Sequence, residues 1–250
     1  MAVVGLLHPG EMGSALGATL RASGHDVLWA SDGRSDATAQ RARDFDDVGN
    51  AGDLAQRAEV ILSVCPPHAA YDVARSVAGY EGVYVDANAV SPDMARALAG
   101  EKTRFVDGGI VGPPPREPGT TRLYLSGGHA AQVAALFAGS FVDARVISPD
   151  VGDASALKMT YAAWSKGSAA LLLAIRSVAR AEGVEDALLA EWALSIPELE
   201  ERSDRAVASA EQKGWRWIAE MEEIAATFAA AGQPEGFHRA AAEVYRRGLS

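Results

Sequence analysis

A single cysteine, Cys65, stands in 250 residues, so no disulfide can form within the chain and the fold does not depend on an oxidising compartment. Apolar runs are short: the longest candidate, 169–175, sits inside a helical pattern and falls well below the roughly 18 residues that a membrane span needs. Positive charge is in deficit, with 23 Lys and Arg against 33 Asp and Glu. No basic patch offsets that balance, which argues against a nucleic-acid groove. Histidine is scarce too, and no His-x-x-x-His or paired Cys/His spacing accompanies Glu220, Glu222, Glu223 and His238, so no metal is expected. Residues 2–7 already read as a strand and leave no room for a signal peptide, so the expected location is cytoplasmic.

What the chain has instead is 48% hydrophobic content, enough to fill one large core or two smaller ones. From residue 2 to about 147, β-rich runs alternate with alanine-rich amphipathic segments. The strand candidates are Val3 to Leu7, Asp26 to Ala30, Val60 to Val64, Val83 to Asp86, Arg104 to Asp107, Arg122 to Ser126 and Ala144 to Ile147. Helices are expected from Met12 to Ala22, Ser35 to Arg43 and Ser91 to Leu98, the last opening on Ser-Pro. With right-handed crossovers this alternation predicts a Rossmann-type doubly wound α/β sheet over residues 1–152. Beyond it the strand signals vanish, and residues 153–250 read as an all-α domain. Its helices are expected at 153–182, which bridges the two domains, at 185 to about 210, at 214–231 and at 234–247. Small residues from Ala162 to Ala170 let another helix approach the bridge closely, one from a second subunit among the candidates. Trp217, Met221, Ile224 and Phe228 repeat as a buried helical stripe.

Between the first strand and first helix lies His8-Pro9-Gly10-Glu11-Met12-Gly13. Against the pattern G-x-G-x-x-G, Gly10 holds the position where backbone approaches a pyrophosphate and Gly13 the position where helix packs on strand. His8 replaces the tight-turn glycine. Amides at the start of the Met12 helix would bind the anion, with Glu11 turned to solvent. After the second strand, Ser31 stands where an NAD site wants its acid, and Arg34 and Ser35 follow, as suits a 2′-phosphate. Asp32 argues the other way. NADP is therefore expected over NAD.

These residues, together with "SVCPP" (Ser63 to Pro67), "VDANAVSP" (Val85 to Pro92), "DGGIVGPPP" (Asp107 to Pro115) and "KMTYAAWSKG" (Lys158 to Gly167), resemble the β-hydroxyacid and 6-phosphogluconate dehydrogenase superfamily. The nearest likeness is to its phosphogluconate-dehydrogenase-like members with a short helical C-terminal domain; imine reductases are cousins. The resemblance implies a nicotinamide cofactor across the loops after the strands, with Cys65, Pro66, Pro67 and Asn88 beside it. It also implies a small substrate in the interdomain cleft and a homodimer through the C-terminal helices. The corresponding substrate loop contains Ile110, Val111, Gly112 and Pro113 but lacks the family's serine, and Asn88-Ala89 stands where hydroxyacid dehydrogenases have Ser-Thr.

Lys158 matches the family's catalytic lysine. An ammonium there can protonate the alkoxide left by hydride delivery. Tyr161, Ala162 and Ser165 share its helix face. Tyr161 and the Asn88 amide are candidate catalytic partners, and Ser165, Trp215 and His238 candidate substrate contacts. The family's asparagine four residues after the lysine is Ala162 here, and Ala219 beside Glu220 takes the place of a second lysine. The expected activity is hydride transfer between NADP and a small carbonyl or alcohol. Imine reduction and cofactor binding without catalysis are the alternatives.

Overall fold

The computed structural model describes residues 1–248, in two compact units that divide between Lys158 and Met159. The sequence placed the division six residues earlier, at the start of the bridging helix. The first turn of that helix belongs with the sheet because its amides are tied to sheet side chains, as described below.

In the first unit, β1 (Val3–Leu6), β2 (Asp26–Trp29), β3 (Asp46–Asp47), β4 (Val60–Ser63), β5 (Val83–Asp86), β6 (Phe105–Val111), β7 (Thr121–Ser126) and β8 (Val142–Ser148) form one sheet in the order β3-β2-β1-β4-β5-β6-β7-β8. All neighbours are parallel except β6 and β7. The order turns back between β1 and β4, and in open α/β sheets ligands bind outside the carboxyl ends of the strands at such a switch point.

β4 and β5 are buried along their whole length, as strands covered on both faces must be. Side chains alternate between the two faces. Val60 and Leu62 join Leu16, Leu20 and Phe45 in one cluster, while Ile61 joins Leu54, Val73 and Tyr84 in the other.

The covering helices are α1 (Glu11–Ala22), α2 (Asp36–Ala42), α3 (Ala51–Arg57), α4 (Ala70–Arg75), α5 (Pro92–Ala99) and α6 (Ala130–Leu136). The sequence reading had missed α3, α4, α6 and the two-residue β3. The three missed helices have six or seven residues each, too few turns to establish a 3.6-residue period. β6 runs four residues past the expected Asp107, because Gly108 and Gly109 pair with Leu125 and Tyr124 of β7.

The second unit is helical. α7 (Asp153–Ala181) continues into it and is followed by α8 (Glu185–Ser195), α9 (Glu198–Ala230) and α10 (Gly236–Arg247). The break after α8 falls at Ile196-Pro197, not near Gly214 as expected. Proline removes a helix hydrogen bond, whereas an interior glycine costs only about 1 kcal/mol. Gly214 is buried inside α9, where an added Cβ would lie 3.7 Å from the Tyr245 ring. Met221 and Ile224 are fully buried, and Trp217 packs edge-on against Tyr245 of α10 at 5.2 Å.

α10 is also the neighbour at the small-residue stretch of α7. Tyr245 donates to the Lys166 carbonyl at 2.6 Å, and a Cβ on Gly167 would meet the His238 ring at 3.8 Å. That close approach is made within one chain. Lys166 and Glu220 form a largely buried ion pair. Among the described residues no helix is long and apolar enough to cross a membrane.

Candidate functional site

Three strand ends of the first unit gather most of the expected residues. At the end of β1, Pro9 is buried, Glu11 is exposed and Met12 packs into the core, so only backbone faces the crevice there. Gly10 is the N-cap of α1 and brings no capping side chain. The first acceptor inside the helix is the Gly10 carbonyl, taken by the Ser14 amide at 2.9 Å. The amides before Ser14 therefore make up a helix start without a side-chain cap, suited to an anion. A Cβ at Gly10 would meet nothing within 4 Å, whereas one at Gly13 would come within 2.5 Å of the His8 carbonyl. These are the two demands of the dinucleotide turn, open approach at the first glycine and tight helix packing at the second. The chain's own geometry fits a pyrophosphate.

At the adjacent strand end, Ser31 is half-buried in the loop after β2 and Ser35 caps α2 by accepting from the Thr38 amide. Arg34, expected as a free phosphate ligand, reaches back to the first turn and donates from Nη1 to His8 Nε2. Burial first, and then the Arg34 charge, pull His8 from its ordinary value down to about 4. The imidazole is neutral at working pH.

At the ends of β4 and β5, Asn88 has a different role from the one expected. Its Oδ1 accepts from the Cys65 amide at 2.5 Å, and its two amide hydrogens go to Ser63 Oγ at 3.1 Å and Asp86 Oδ2 at 2.8 Å. An amide so committed has no donor left for a carbonyl or carboxamide. Asn88 instead pins the Cys65-Pro66-Pro67 turn to the sheet. Burial raises the Cys65 thiol to about 12, so this cysteine is a poor nucleophile.

The pair Asp86 and Asp107, in register on β5 and β6, was not singled out from the sequence. The signal was present: each is the lone acid in an otherwise apolar strand. Burial, with a smaller push from the Asp107 charge, raises Asp86 to about 7. Asp107 anchors the start of α7. Its Oδ2 accepts from the Gly152 amide at 3.0 Å, the Ser155 amide at 2.9 Å and Ser126 Oγ at 3.1 Å, while Oδ1 accepts from Ser155 Oγ at 2.6 Å. A carboxylate at a helix N-terminus also meets the positive end of its dipole.

One turn further along α7 stands Lys158. Gly109 lets β6 come close to it: a Cβ there would lie 2.6 Å from the Ala154 carbonyl and 3.0 Å from Lys158 Cβ. Desolvation alone lowers the ammonium from 10.5 to about 8, and no ion pair involving Lys158 is found among the described residues. The root of the Lys158 side chain thus lies beside the carboxyl half of β6, and desolvation makes its ammonium proton easily given up.

The other expected contacts are placed differently. Ile110 and Val111 are buried strand residues of β6, so the loop proper starts at Gly112-Pro113, where the Pro113 carbonyl accepts from Thr121 at 2.6 Å. Tyr161 and Ser165 are exposed on α7. Trp215 is exposed on α9 with Arg216 over its ring at 4.9 Å. His238 is buried within the second unit, edge-on to Phe228 at 4.2 Å, which removes it from the substrate contacts. A groove of about 860 Å³ runs along α1 past Phe45 and Phe141, but neither Gly10 nor Lys158 lines it. Among the described residues no cluster of His, Cys, Asp and Glu is arranged to hold a metal.

Residues 3–90 match the family model described as NADP oxidoreductase coenzyme F420-dependent, and residues 179–248 match a domain of unknown function, DUF1932. An uncharacterized 28.5 kDa protein of Methanothermus fervidus is 32% identical over 140 residues, 55% of this chain and 54% of that protein. The match thus spans about half the length of that curated relative. Among solved structures, a conserved protein of unknown function described as similar to 3-hydroxyacid dehydrogenases superposes with a TM-score of 0.72 at 26% identity, over 98% of this chain and 96% of its own. A reductive aminase from Aspergillus terreus, solved with NADPH and ethyl levulinate, shares the fold at 17% identity and a TM-score of 0.62, over 99% of this chain and 93% of its own. These matches support a place among the hydroxyacid dehydrogenase-like proteins and an NAD(P)-dependent oxidoreductase. The chain shares its fold with a 3-hydroxyisobutyrate dehydrogenase and with the reductive aminase.

Proposed function

We propose that this protein is an NADP-dependent oxidoreductase that moves a hydride between the nicotinamide and a small carbonyl or alcohol, with Lys158 as the proton donor and acceptor. The observation that carries the reading is the placement of Lys158: a desolvated amine with no acidic partner among the described residues, whose Cβ is held against the glycine stretch of β6, in the unit that also carries the turn at Gly10. The bound nicotinamide supplies the hydride. Lys158 Nζ gives its proton to the substrate oxygen as negative charge develops there, and takes it back in the oxidative direction. Gly10 and the first amides of α1 hold the pyrophosphate, while Arg34 supports NADP over NAD.

The test is a fluorescence titration of NADPH and NADH on wild type and Arg34→Ala, followed by turnover of ketone substrates by wild type and Lys158→Met. Tighter NADPH binding that Arg34→Ala abolishes, with ketone turnover lost in Lys158→Met, supports the reading. Binding of neither nucleotide, or full ketone turnover in Lys158→Met, sinks it. Binding without turnover of any carbonyl or imine favours a non-catalytic dinucleotide protein.

Reduction of C=N bonds is the second reading, favoured by one observation. Asn88 has spent both amide hydrogens inside the protein, so the loop that clamps a carboxylate in hydroxyacid dehydrogenases offers no donor from that side chain. An imine needs no such clamp.

We infer further that the protein is a homodimer through α7. Tyr161, Trp164, Leu171 and Val178 are large and exposed, and with Ser168 and Ile175 they follow the 3-4 spacing of a helix–helix seam.

A further inference from the structure

The histidine that displaces a glycine in the first turn is not demanded by the backbone. Among the described residues no non-glycine takes a positive φ, so position 8 does not need glycine's conformational freedom. Nor does the ring serve stability. Among the described residues its Nδ1 is buried without a hydrogen-bond partner, and an unsatisfied buried donor is destabilising. Glycine would carry no such penalty.

What the ring does is hold Arg34. Because Nε2 accepts from the guanidinium, the single imidazole hydrogen of the neutral ring resides on Nδ1. β1 and β2 are paired, Leu6 opposite Trp29, so His8 and Ser31, each two residues past its strand, lie at the same height on neighbouring strand ends. Arg34 spans that interval, where the adenosine ribose of a dinucleotide lies in sheets of this order. Its charge is felt as far as Cys65 beyond β4. Of the five N–H groups of the guanidinium, His8 engages Nη1, and the remaining fork can meet a phosphate in bidentate fashion. An untethered arginine would lose rotamer freedom on binding.

We propose that His8 is a specificity-positioning residue: it pre-sets Arg34 across the mouth between β1 and β2 so that the guanidinium receives the 2′-phosphate of NADP. This rests on the NADP reading above.

The experiment compares NADPH and NADH affinities of wild type, His8→Gly, His8→Gln, Arg34→Ala and the His8→Gly/Arg34→Ala double variant, with thermal melts of each. In His8→Gly, NADPH affinity is expected to fall about tenfold with NADH affinity unchanged and the melting temperature equal or higher. His8→Gln, whose side-chain carbonyl can accept from the guanidinium, restores part of the loss, and the double variant binds no worse than Arg34→Ala alone. Unchanged NADPH affinity in His8→Gly alongside a weakened Arg34→Ala overturns the tether and leaves the NADP reading intact. Equal weakening for both nucleotides also overturns it, by making His8 a determinant of turn shape only. A wild type without NADPH preference removes the NADP reading and the tether with it.

Discussion

Lys158→Met replaces a desolvated amine with an apolar chain of similar length, and its consequences for stability can be worked out from one pair of numbers. The folded protein holds the ammonium at about 8 where an unfolded chain holds it at 10.5, a displacement worth about 3 kcal/mol. Between those values the unfolded chain binds a proton that the folded one does not, so wild-type stability rises with pH through that window. Below about pH 8 the full penalty applies; above about 10.5 it is gone. Relative to wild type, Lys158→Met is therefore expected to be more stable by up to about 3 kcal/mol at pH 7, with the difference shrinking towards pH 10.5. Urea denaturation of both proteins across that range measures it. The same variant should lose about 10²–10⁴ in turnover, the usual scale of general acid catalysis. In wild type, reduction should weaken and oxidation strengthen as pH rises through about 8. A stability difference that does not change with pH, or a variant with unimpaired turnover, would refute the assignment of a desolvated catalytic amine.

Other predictions follow from particular contacts. Asp107→Asn removes a charge that accepts four hydrogen bonds at the start of α7. A loss of about 3 kcal/mol in chemical denaturation is expected, together with reduced turnover as Lys158 loses its fixed helix start. Gly109→Ala puts a Cβ 2.6 Å from a backbone carbonyl of α7; steady-state kinetics should show a fall in kcat larger than any change in cofactor affinity, with about 1–3 kcal/mol of destabilisation. On the proposed α7 seam, Leu171→Asp should give a monomer in light scattering where wild type gives a dimer, while leaving the far-ultraviolet circular dichroism unchanged. A dimer that persists would rule out the α7 seam.

The strands that carry the site were legible because β1, β4 and β5 are short apolar runs bounded by turn residues, and the Gly10 turn because both glycines meet a geometric demand that the structure shows. α3, α4 and α6 were not, since a helix of two turns leaves too few apolar positions to fix a period. The Ile196-Pro197 break was misplaced because a new helix is expected to start at Gly214, which is an interior packing residue of α9. In the site, the family resemblance pointed to Lys158, but nothing in the sequence pointed to the partners of Asn88 or the anchoring role of Asp107. Those depend on which strand ends stand side by side, and Asp86 and Asp107 are 21 residues apart in the chain yet neighbours in the sheet. The contact between Arg34 and His8 spans 26 residues and has no local signature.

The knot at Asp107 also bears on how such a protein can change over time. Everything that holds Lys158 in register, from Ser126 and Gly109 to Gly152 and Ser155, lies on the sheet side of the division at residue 158. Substitutions from Met159 onward leave these contacts untouched. On the proposed reading, the proton donor is inherited with the sheet, and the helical unit is free to diverge around it.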